Sequence, residues 1–476
     1  MQTVVRWLRT GMLLAIVAVA GATGLRAQGV TTAAIAGVVT DSSGAPLEGA
    51  RVVALHQPSG TAYAAMTRAD GRFTIPGMRV GGPYRVSVAL VGYRQEAQDQ
   101  IQLTLGGTAD LRFALARATL ELEPVTVTAT SNPVFSAERT GAATTIAATQ
   151  IAHLPTISRR VEDLLRLTPQ YSPMSFGFSF AGQDNRLNNM TIDGSYFNNS
   201  FGLAGQPGDR TGVAPVSLDA LEQLQVNVAP YDVRQGNFVG AGINMVTKSG
   251  TNDVTGTLYY NTRNDNFVGT HAGPNTFKPG SFKYHDVGVA LGGPIIRNRL
   301  FFFGSFEDDG QTAPGTTFRA NTGAPTDTVK GNVTRVLASD LDALSSYLKN
   351  NFNYVSGPYQ GYDFKVPSTR FLARLDYNLS DRNKLSLRYN LLNSSSDILL
   401  SNSGSLGLGS RRSTLNSLNF ANSNYAILEN IRSVVGEWNS SIARNMSNNF
   451  IAGYTTSDES RKNITPPWFQ IGRAHV

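Results

Sequence analysis

The sequence contains no cysteine and only five histidines among its 476 residues. Without cysteine, the chain can form neither a disulfide nor a thiolate nucleophile or metal ligand. The histidines are far apart and lack the paired spacing of a zinc site; they are His56, His153, His271, His285 and His475. No glycine-rich segment has the Gly-x-x-x-x-Gly-Lys-Ser/Thr form of a phosphate-binding loop. We therefore expect no enzyme activity, no metal site and no cofactor.

Charge is also scarce, since only 16% of the residues are Asp, Glu, Lys or Arg. The net charge of +7 comes from scattered Lys and Arg, which do not form a basic patch, so we expect no nucleic-acid partner. The acidic run Glu307–Gly310 lacks the ligand spacing of a calcium loop, and we interpret it as a solvated strand end. By contrast, Gly (47), Phe (23) and Tyr (17) are frequent, a composition typical of strands joined by many turns.

A single long apolar run occurs, at the N-terminus. Arg6 and Arg9 precede the apolar residues 11–24, and the small residue Ala27 follows. The run is shorter than the ~20 residues that a spanning helix needs. We therefore predict that residues 1–27 are a signal peptide cleaved after Ala27, with a lone anchor helix as the alternative. Because no later segment resembles a transmembrane helix, any membrane span has to be a β-structure.

Residues 30–116 contain short alternating strands with turn residues between them, which predicts a small β-sandwich. Strands are expected at 35–39, 51–55 and 84–88, and Asp70-Gly71 predicts a hairpin turn. The segment resembles the carboxypeptidase regulatory-like (transthyretin-like) domain in four stretches, namely Gly37–Asp41, Gly44–Ala50, Asp70–Phe73 and Gly92-Tyr93. The resemblance implies an accessory domain without catalytic residues.

Residues 120–131 contain a β-branched run after Pro124, formed by Val125, Thr126, Val127 and Thr128. Such a run favours an extended chain that can add to the sheet edge of a partner. Between a sandwich and the segment that follows, it resembles a TonB box, which implies a TonB-type periplasmic energy-transducing partner. A linker or a last sandwich strand is the alternative.

Residues 132–252 predict an α+β domain. An amphipathic helix is expected from Arg159 to Pro169, and a second helix from Ser217 to Leu224 runs into a strand at 225–228. Between them, a polar turn and a strand end in Asp193-Gly194. The order of these elements resembles the plug of TonB-dependent receptors, most closely the Oar-like subgroup. The residues of the plug motif are Asp193, Gly194, Arg234, Gly236, Gly242, Asn244, Thr247, Lys248, Ser249 and Gly250.

Residues 253–470 alternate between apolar and polar positions, as in a barrel wall with lipid outside and water inside. Seven strands are expected, at 254–261, 285–292, 300–307, 370–377, 384–391, 433–442 and 449–455. Ser380–Asn383 is interpreted as a periplasmic turn. Residues 309–367 are interpreted as an extracellular loop with a helix at Ser339–Phe352. A soluble sandwich with one polar face is the alternative. The expected fold class is mainly β: a sandwich, a plug and the first strands of an antiparallel transmembrane barrel.

Seven strands are far fewer than the ~22 of plugged outer-membrane transporters, so we expect an incomplete barrel. The last residues, 471–476, match one reading frame of a common sequencing adapter, and we interpret them as an artefactual tail. The resemblance implies an energised receptor in the cell outer membrane, with lipid and an unknown extracellular ligand as further partners. A structural or adhesive surface protein of the Oar type is the alternative function.

Overall fold

The computed structural model describes residues 30–118, 125–128, 142–156, 159–173, 177–198, 207–228, 235–236, 238–276, 280–400, 412–443 and 446–463. The predicted signal peptide, the predicted tail and Arg234 lie outside these residues. In the described ranges, no helix is both long enough and apolar enough to cross a membrane.

The N-terminal strands form a sandwich of two sheets. They are β1 (Ala33–Asp41), β2 (Arg51–His56), β3 (Thr61–Met66), β4 (Arg72–Met78), β5 (Gly81–Ala89), β6 (Glu96–Leu103), β7 (Thr108–Leu115) and β8 (Val125–Thr128). One sheet has the order β4-β1-β7 and the other β3-β2-β5-β6-β8. Alternate residues such as Ile35, Val52 and Val86 point into a shared apolar core. The predicted sandwich is confirmed.

The predicted hairpin at Asp70-Gly71 is wrong. The Arg68 N–H donates to the Arg72 carbonyl at 2.9 Å, which closes a tight local turn. The flanking strands nevertheless belong to different sheets, because β3 pairs with β2 and β4 pairs with β1. The Asp-Gly signal specifies the turn, whereas the partner of each strand depends on which core face its apolar side chains reach.

The next unit is built on a five-stranded sheet, which we call the plug. Its elements are β9 (Ala142–Ala147), α1 (Ala148–His153), α2 (Val161–Leu165), β10 (Tyr171–Pro173), β11 (Phe178–Phe180), β12 (Asn189–Ile192), β13 (Ser195–Tyr196), β14 (Leu221–Val228) and β15 (Gly242–Thr247). The sheet order is β13-β12-β15-β14-β9. The helix predicted after Arg159 is confirmed in a shorter form, and its apolar residues Val161, Leu164 and Leu165 are buried.

The second predicted helix, Ser217–Leu224, is wrong beyond its first turn. Ser217 does cap a helical turn, because its hydroxyl accepts a hydrogen bond from the Asp219 N–H at 3.3 Å. That turn is a 3-10 helix of three residues, Leu218–Ala220, and the chain becomes β14 at Leu221. β14 pairs with β9 on one side and β15 on the other, and these ladders outweigh the helical preference of Leu, Glu and Gln.

The C-terminal half forms a large antiparallel sheet, which we call the wall. The elements of this half are β16 (Thr255–Asn264), β17 (His271–Ala272), β18 (Asn275–Thr276), β19 (Lys283–Ile296), β20 (Leu300–Pro314), β21 (Arg319–Asn321), β22 (Val333–Leu337), α3 (Ala338–Phe352), β23 (Asp363–Ser380), β24 (Asn383–Ile398), β25 (Tyr425–Ala443), β26 (Met446–Asp458) and β27 (Arg461–Asn463). The pairs β17-β18 and β21-β22 form two small sheets outside the wall. The order is β16-β19-β20-β23-β24-β25-β26, and β27 continues along β25 beyond β26. All seven predicted strands are confirmed, and the strands that the structure describes do not close the sheet on itself.

The two faces of the wall differ as the alternation predicts. On β23, Phe371 and Leu375 are exposed on the outer face, whereas Arg370 and Asp376 are buried on the inner face. The plug packs on that inner face, where its core merges with wall residues such as Leu372 and Ile431. The wall therefore presents apolar side chains outwards, and towards the plug it presents polar side chains together with a few apolar ones that join the shared core.

Long loops and short turns lie at opposite ends of the wall. The predicted helix in the loop after β20 is confirmed as α3, and this loop packs against the loop before β25 through Ala320, Leu341 and Leu418. At the other end, the sandwich contacts the short turns. There, the Asn378 side chain donates to Thr61 Oγ1 at 2.9 Å. The sandwich therefore lies across the end of the wall that carries the predicted periplasmic turn, Ser380–Asn383.

Candidate functional site at the plug and the sandwich edge

The predicted box, Val125–Thr128, is the edge strand β8 of the sandwich. It runs parallel to β6, with Glu96 opposite Val125 and Asp99 opposite Thr128. Among the described strands, none pairs with the other edge of β8. An open edge presents backbone N–H and C=O groups to which a further strand can add. The pairing is that of a last sandwich strand, and it leaves one edge for a partner.

Asp193 and Gly194 form the tight turn between β12 and β13. Both have positive φ, 45° and 75°, as this kind of two-residue hairpin turn requires. The Asp193 carboxylate is directed back onto β15, where it accepts hydrogen bonds from the Thr247 N–H at 2.9 Å and the Thr247 hydroxyl at 2.7 Å. Two of the predicted plug residues are thus brought together.

Two arginines of the wall meet this carboxylate. Arg374 Nη1 on β23 lies 3.3 Å from Asp193 Oδ1 and donates to the Thr247 carbonyl at 2.9 Å. Arg388 Nε on β24 lies 3.4 Å from Asp193 Oδ2. We call these four residues the Asp193 latch. Because its charges are buried, removing one of them should be far more costly than breaking a surface ion pair.

A second ionic contact joins the plug to the first strands of the wall. The Arg159 guanidinium pairs with Asp219 of the plug and lies 3.6 Å from Asp286 on β19. It also lies over the ring of Tyr259 on β16, 4.2 Å from the centroid, a cation–π geometry. Arg159 has φ of 50°, an unusual value for a residue with a side chain. This strained conformation directs its side chain into the wall.

The acidic run Glu307–Gly310 is not the solvated strand end that we expected. Glu307 is 1% exposed on the inner face of β20 and pairs with Arg370 at 2.7 Å. Arg370 also pairs with Asp309 and donates to the Ala214 carbonyl of the plug at 3.2 Å. A carboxylate on an inward position of a wall strand is buried because the plug covers it, and sequence alternation does not reveal that cover.

A fourth contact uses a backbone N–H and a hydroxyl of the plug. The Gly208 N–H donates to Glu429 on β25 at 2.6 Å, and Thr211 donates to the same carboxylate at 3.3 Å. The plug is therefore attached by polar contacts to strands β19, β23, β24 and β25. These polar contacts can be exchanged for water when the plug moves, whereas the apolar contacts with Leu372 and Ile431 have to be opened.

The remaining plug residues of the motif are spread along β15 and its approach. Asn244 Oδ1 accepts from the Thr191 hydroxyl at 2.8 Å, and the Gly236 carbonyl accepts from Asn189 Nδ2 at 3.1 Å. At Gly242, a Cβ would approach the Phe238 ring to 2.8 Å. These residues shape the plug sheet and are not part of the Asp193 latch.

The end of the motif leads from the plug to the wall. The Lys248 N–H donates to the Ala220 carbonyl at 2.7 Å. The Gly250 carbonyl accepts from Arg79 of the sandwich at 3.4 Å, and a Cβ at Gly250 would collide with backbone oxygens of β19 and β20. Ser249 lines a cavity of about 170 Å³ between sandwich, plug and wall. Glycine is thus required where the chain crosses the wall closely.

Charged groups of all three units line this cavity. Arg79 of the sandwich lies 3.7 Å from Asp376 of the wall, and Glu222 of the plug faces the same space. Burial raises the pKa of the Glu222 carboxyl, partly offset by Lys248 and Arg79. Burial lowers the pKa of His56 to about 3, assisted by the charge of Arg79. Within the described ranges, no group of three or more His, Cys, Asp or Glu could hold a metal ion.

Sequence reasoning did not identify the wall partners of the plug. The alternation placed Arg370, Arg374 and Arg388 on the polar face of their strands, and the structure confirms that face. It gave no sign that Arg374 and Arg388 converge on Asp193, because that contact joins residues about 180 and 195 positions apart. The usable signal was the presence of arginine at inward strand positions.

Two family models match the chain. The carboxypeptidase regulatory-like domain matches residues 34–116, and the outer membrane beta barrel domain matches residues 246–470. The TonB-dependent transporter Oar of Myxococcus xanthus is 27% identical over 160 residues, which cover 31% of this chain and 14% of Oar. The chain thus spans a small part of the length of that relative.

Solved outer-membrane proteins are similar at low sequence identity. The outer membrane transporter YddB from Escherichia coli is 13% identical with a TM-score of 0.45, over 66% of this chain and 38% of YddB. The siderophore receptor PirA from Pseudomonas aeruginosa is 11% identical with a TM-score of 0.40, over 67% of this chain and 41% of PirA. The chain is a homologue of the TonB-dependent transporter Oar, with a carboxypeptidase regulatory-like domain ahead of an outer membrane beta barrel domain.

Proposed function

We propose that the protein is a TonB-dependent outer-membrane receptor that takes up an unidentified external ligand when its plug is displaced. A TonB-type periplasmic protein supplies the energy by pairing with Val125–Thr128. The observation that carries the proposal is the position of β8. It is an edge strand of the sandwich with one unpaired edge in the described structure, and along the chain it directly precedes the plug. Main-chain hydrogen bonds along such an edge give a partner strand both affinity and resistance to shear.

The plug contacts suit a body that is held firmly and can still be moved. The Asp193 latch, Arg159 and Glu429 attach it through hydrogen bonds and ion pairs. Water that enters the lumen can replace these partners one at a time, so that the cost of displacement is spread over several steps. The plug must therefore be pulled, since no single contact acts as a release point.

The outer face of the wall suits a lipid environment. Its exposed apolar side chains include Leu258, Val289, Phe306, Leu387, Val434 and Phe450. Bands of this kind face the hydrocarbon region in transmembrane β-barrels. With the signal peptide proposed at residues 1–27, the protein is exported and inserted in the cell outer membrane.

Proline substitutions in β8 test the proposed partner strand. Neighbouring residues of a strand direct their N–H groups to opposite edges, so Thr126→Pro and Val127→Pro each remove one donor from a different edge. One of the two should weaken binding of the purified periplasmic domain of a TonB-type protein at least tenfold, while amide exchange in β6 stays unchanged. The other should loosen β8 from β6. Binding that is equal to wild type in both variants would contradict the proposed strand pairing.

An adhesive role is the second candidate, and the outer loops favour it. The loop that contains α3 exposes Leu344, Tyr347, Phe352 and Val355 on a folded support, and exposed apolar patches mark interaction surfaces. Deleting the TonB-type partner separates the two roles. An adhesin keeps its surface binding in that strain, whereas a receptor loses accumulation of its ligand.

A further inference from the structure

We propose that the sandwich is the mechanical link between the box strand and the plug, with β6 as the connecting strand. This inference rests on the proposed function and adds the route by which a pull on β8 reaches the plug. In the simplest route, the pull would travel along the chain through residues 129–141 to β9. The structure offers a second route through hydrogen bonds.

The route begins at β8, whose four residues pair with residues 96–99 of β6. β6 ends at Leu103, and the turn that follows is held by the plug. The Leu105 N–H donates to Gln223 Oε1 at 2.7 Å, and Gln223 Nε2 donates to the Leu103 carbonyl at 3.1 Å. Gln225 Nε2 donates to the Leu105 carbonyl at 2.6 Å. The strand that holds the box is therefore continuous with the turn that holds the plug.

Both glutamines belong to β14, an inner strand of the plug sheet. Gln223 is 3% and Gln225 is 7% exposed, and Val246 of the neighbouring strand β15 packs into the sandwich core. Buried hydrogen bonds and apolar contact together make a joint that water does not readily enter. A load that arrives at these glutamines acts on the inner strand β14 of the plug sheet. A load that follows the chain would act on the edge strand β9.

The contact between the sandwich and the wall is of a different kind. It consists of polar and cation–π pairs, such as Thr31 with Glu437 at 2.6 Å, Arg79 with Asp376 at 3.7 Å and Lys384 over the Tyr63 ring at 5.5 Å. These residues line the cavity of about 170 Å³, which Glu222 and Val246 of the plug also line; the two interfaces therefore differ in the kind of contact, which is buried and partly apolar towards the plug and mainly polar towards the wall. Under load, the sandwich should part from the wall before it parts from the plug, and the two units should leave together.

The chain has no native cysteine, which allows a clean test with a disulfide. Ala97 and Thr126 are paired partners on β6 and β8, and Ala97→Cys with Thr126→Cys would tie the strands together. The full chain in a lipid nanodisc is pulled in a force spectrometer by a clickable azide side chain at position 130. The proposal expects the same first rupture force in the oxidised and the reduced double variant, because β8 stays on β6 during the pull.

The opposite result is equally distinct. If β8 peels away first, the reduced protein shows a low-force event that oxidation removes. Load then reaches β9 only after the 11 residues 131–141 have extended by up to ~38 Å. That pattern would overturn the proposal. The single variant Ala97→Cys controls for the effect of the thiol itself.

Variants of the plug joint give an independent readout. Gln223→Ala with Gln225→Ala should make the sandwich part from the plug about 100-fold faster at constant load, as expected for the loss of three buried hydrogen bonds. Gln183→Ala, an exposed glutamine of the plug, should leave the rate unchanged. A joint that parts no faster in the double variant would contradict the assigned route.

The proposed function fails in a different way. If a tip that carries the TonB-type periplasmic domain never captures the wild-type protein, the box assignment is wrong. The azide-coupled tip would still report whether load on β8 passes into the sandwich. The two failures are therefore distinguishable in one instrument.

Discussion

At the scale of single residues, the plug is held by a few buried charges whose partners come from distant parts of the chain. Asp193 is the clearest case, because one carboxylate accepts two hydrogen bonds from Thr247 and meets Arg374 and Arg388. The two arginines are on neighbouring strands and carry like charges. The carboxylate between them therefore stabilises both sides of the contact.

Replacing this carboxylate should loosen the plug. Asp193→Ala leaves the buried Arg388 without its carboxylate partner, whereas Arg374 keeps Asp376 at 2.9 Å. We expect a loss of about 3–5 kcal/mol in the opening free energy of β12 and β15. Asp193→Asn keeps the shape of the side chain and one acceptor oxygen, so it should lower the opening free energy by less. Amide hydrogen exchange of the full chain measures both values. Asp184→Ala is the matched control, because its pair with Arg186 is exposed and its removal should change little.

His56 gives the sandwich a defined response to acid. Its ring contacts Ser59 Oγ at 2.7 Å and is 4% exposed, and its pKa is lowered to about 3 by burial and by Arg79. In the unfolded chain a histidine has a pKa of about 6.5. The unfolded state thus binds the extra proton first, so stability is complete above about pH 6.5 and falls as the pH drops towards 3.

The expected loss on going from pH 7 to pH 5 is about 2 kcal/mol, from ~1.4 kcal/mol for each pH unit below 6.5. Amide exchange of β2 and β5 in the full chain measures it. His56→Gln should flatten this dependence, although it is less stable at pH 7. An unchanged slope in that variant would assign the pH response to other groups.

At the scale of elements, the sequence predicts best where one face of a strand is buried and the other is exposed. The wall strands β19, β20, β23, β24 and β25 have this pattern, as do the sandwich strands β1, β2 and β5, and all of them were predicted. β16 and β26 were predicted as well, although both are mostly exposed. The predictions fail where the secondary structure of a segment depends on the strands with which it pairs. Ser217–Leu224 has helix formers and a capping serine, but pairing with β9 and β15 makes most of it a strand.

The same limit applies to the turn at Asp70-Gly71 and to Glu307. Turn chemistry specifies a tight turn locally, and it does not state that the next strand crosses to another sheet. Alternation placed polar residues inside the wall, and it did not state that the plug would cover Glu307. The candidate site is formed by contacts between residues far apart in the sequence. The sequence therefore predicted which segments contribute to the site, but not which residues contact each other.

At the scale of the whole molecule, three units meet at the end of the wall that carries the short turns. The sandwich contacts the wall through Thr61 and Asn378, and the plug through Leu105 and Gln223. β8 lies at the edge of the sandwich, which is where a partner strand could join the assembly. The central claim is that this partner is a TonB-type protein and that it pairs with β8.

Disulfide cross-linking in cells tests this claim most directly. Because the chain has no native cysteine, Val127→Cys introduces a single thiol, to be paired with single cysteines along the β-strand of the TonB-type periplasmic domain. A strand partner should cross-link at every second position, since side chains alternate between the two faces. A thiol at Ser43→Cys, in an exposed turn of the sandwich, should not cross-link. Absence of any cross-link at position 127, or equal cross-linking at all positions of the partner, would contradict the account.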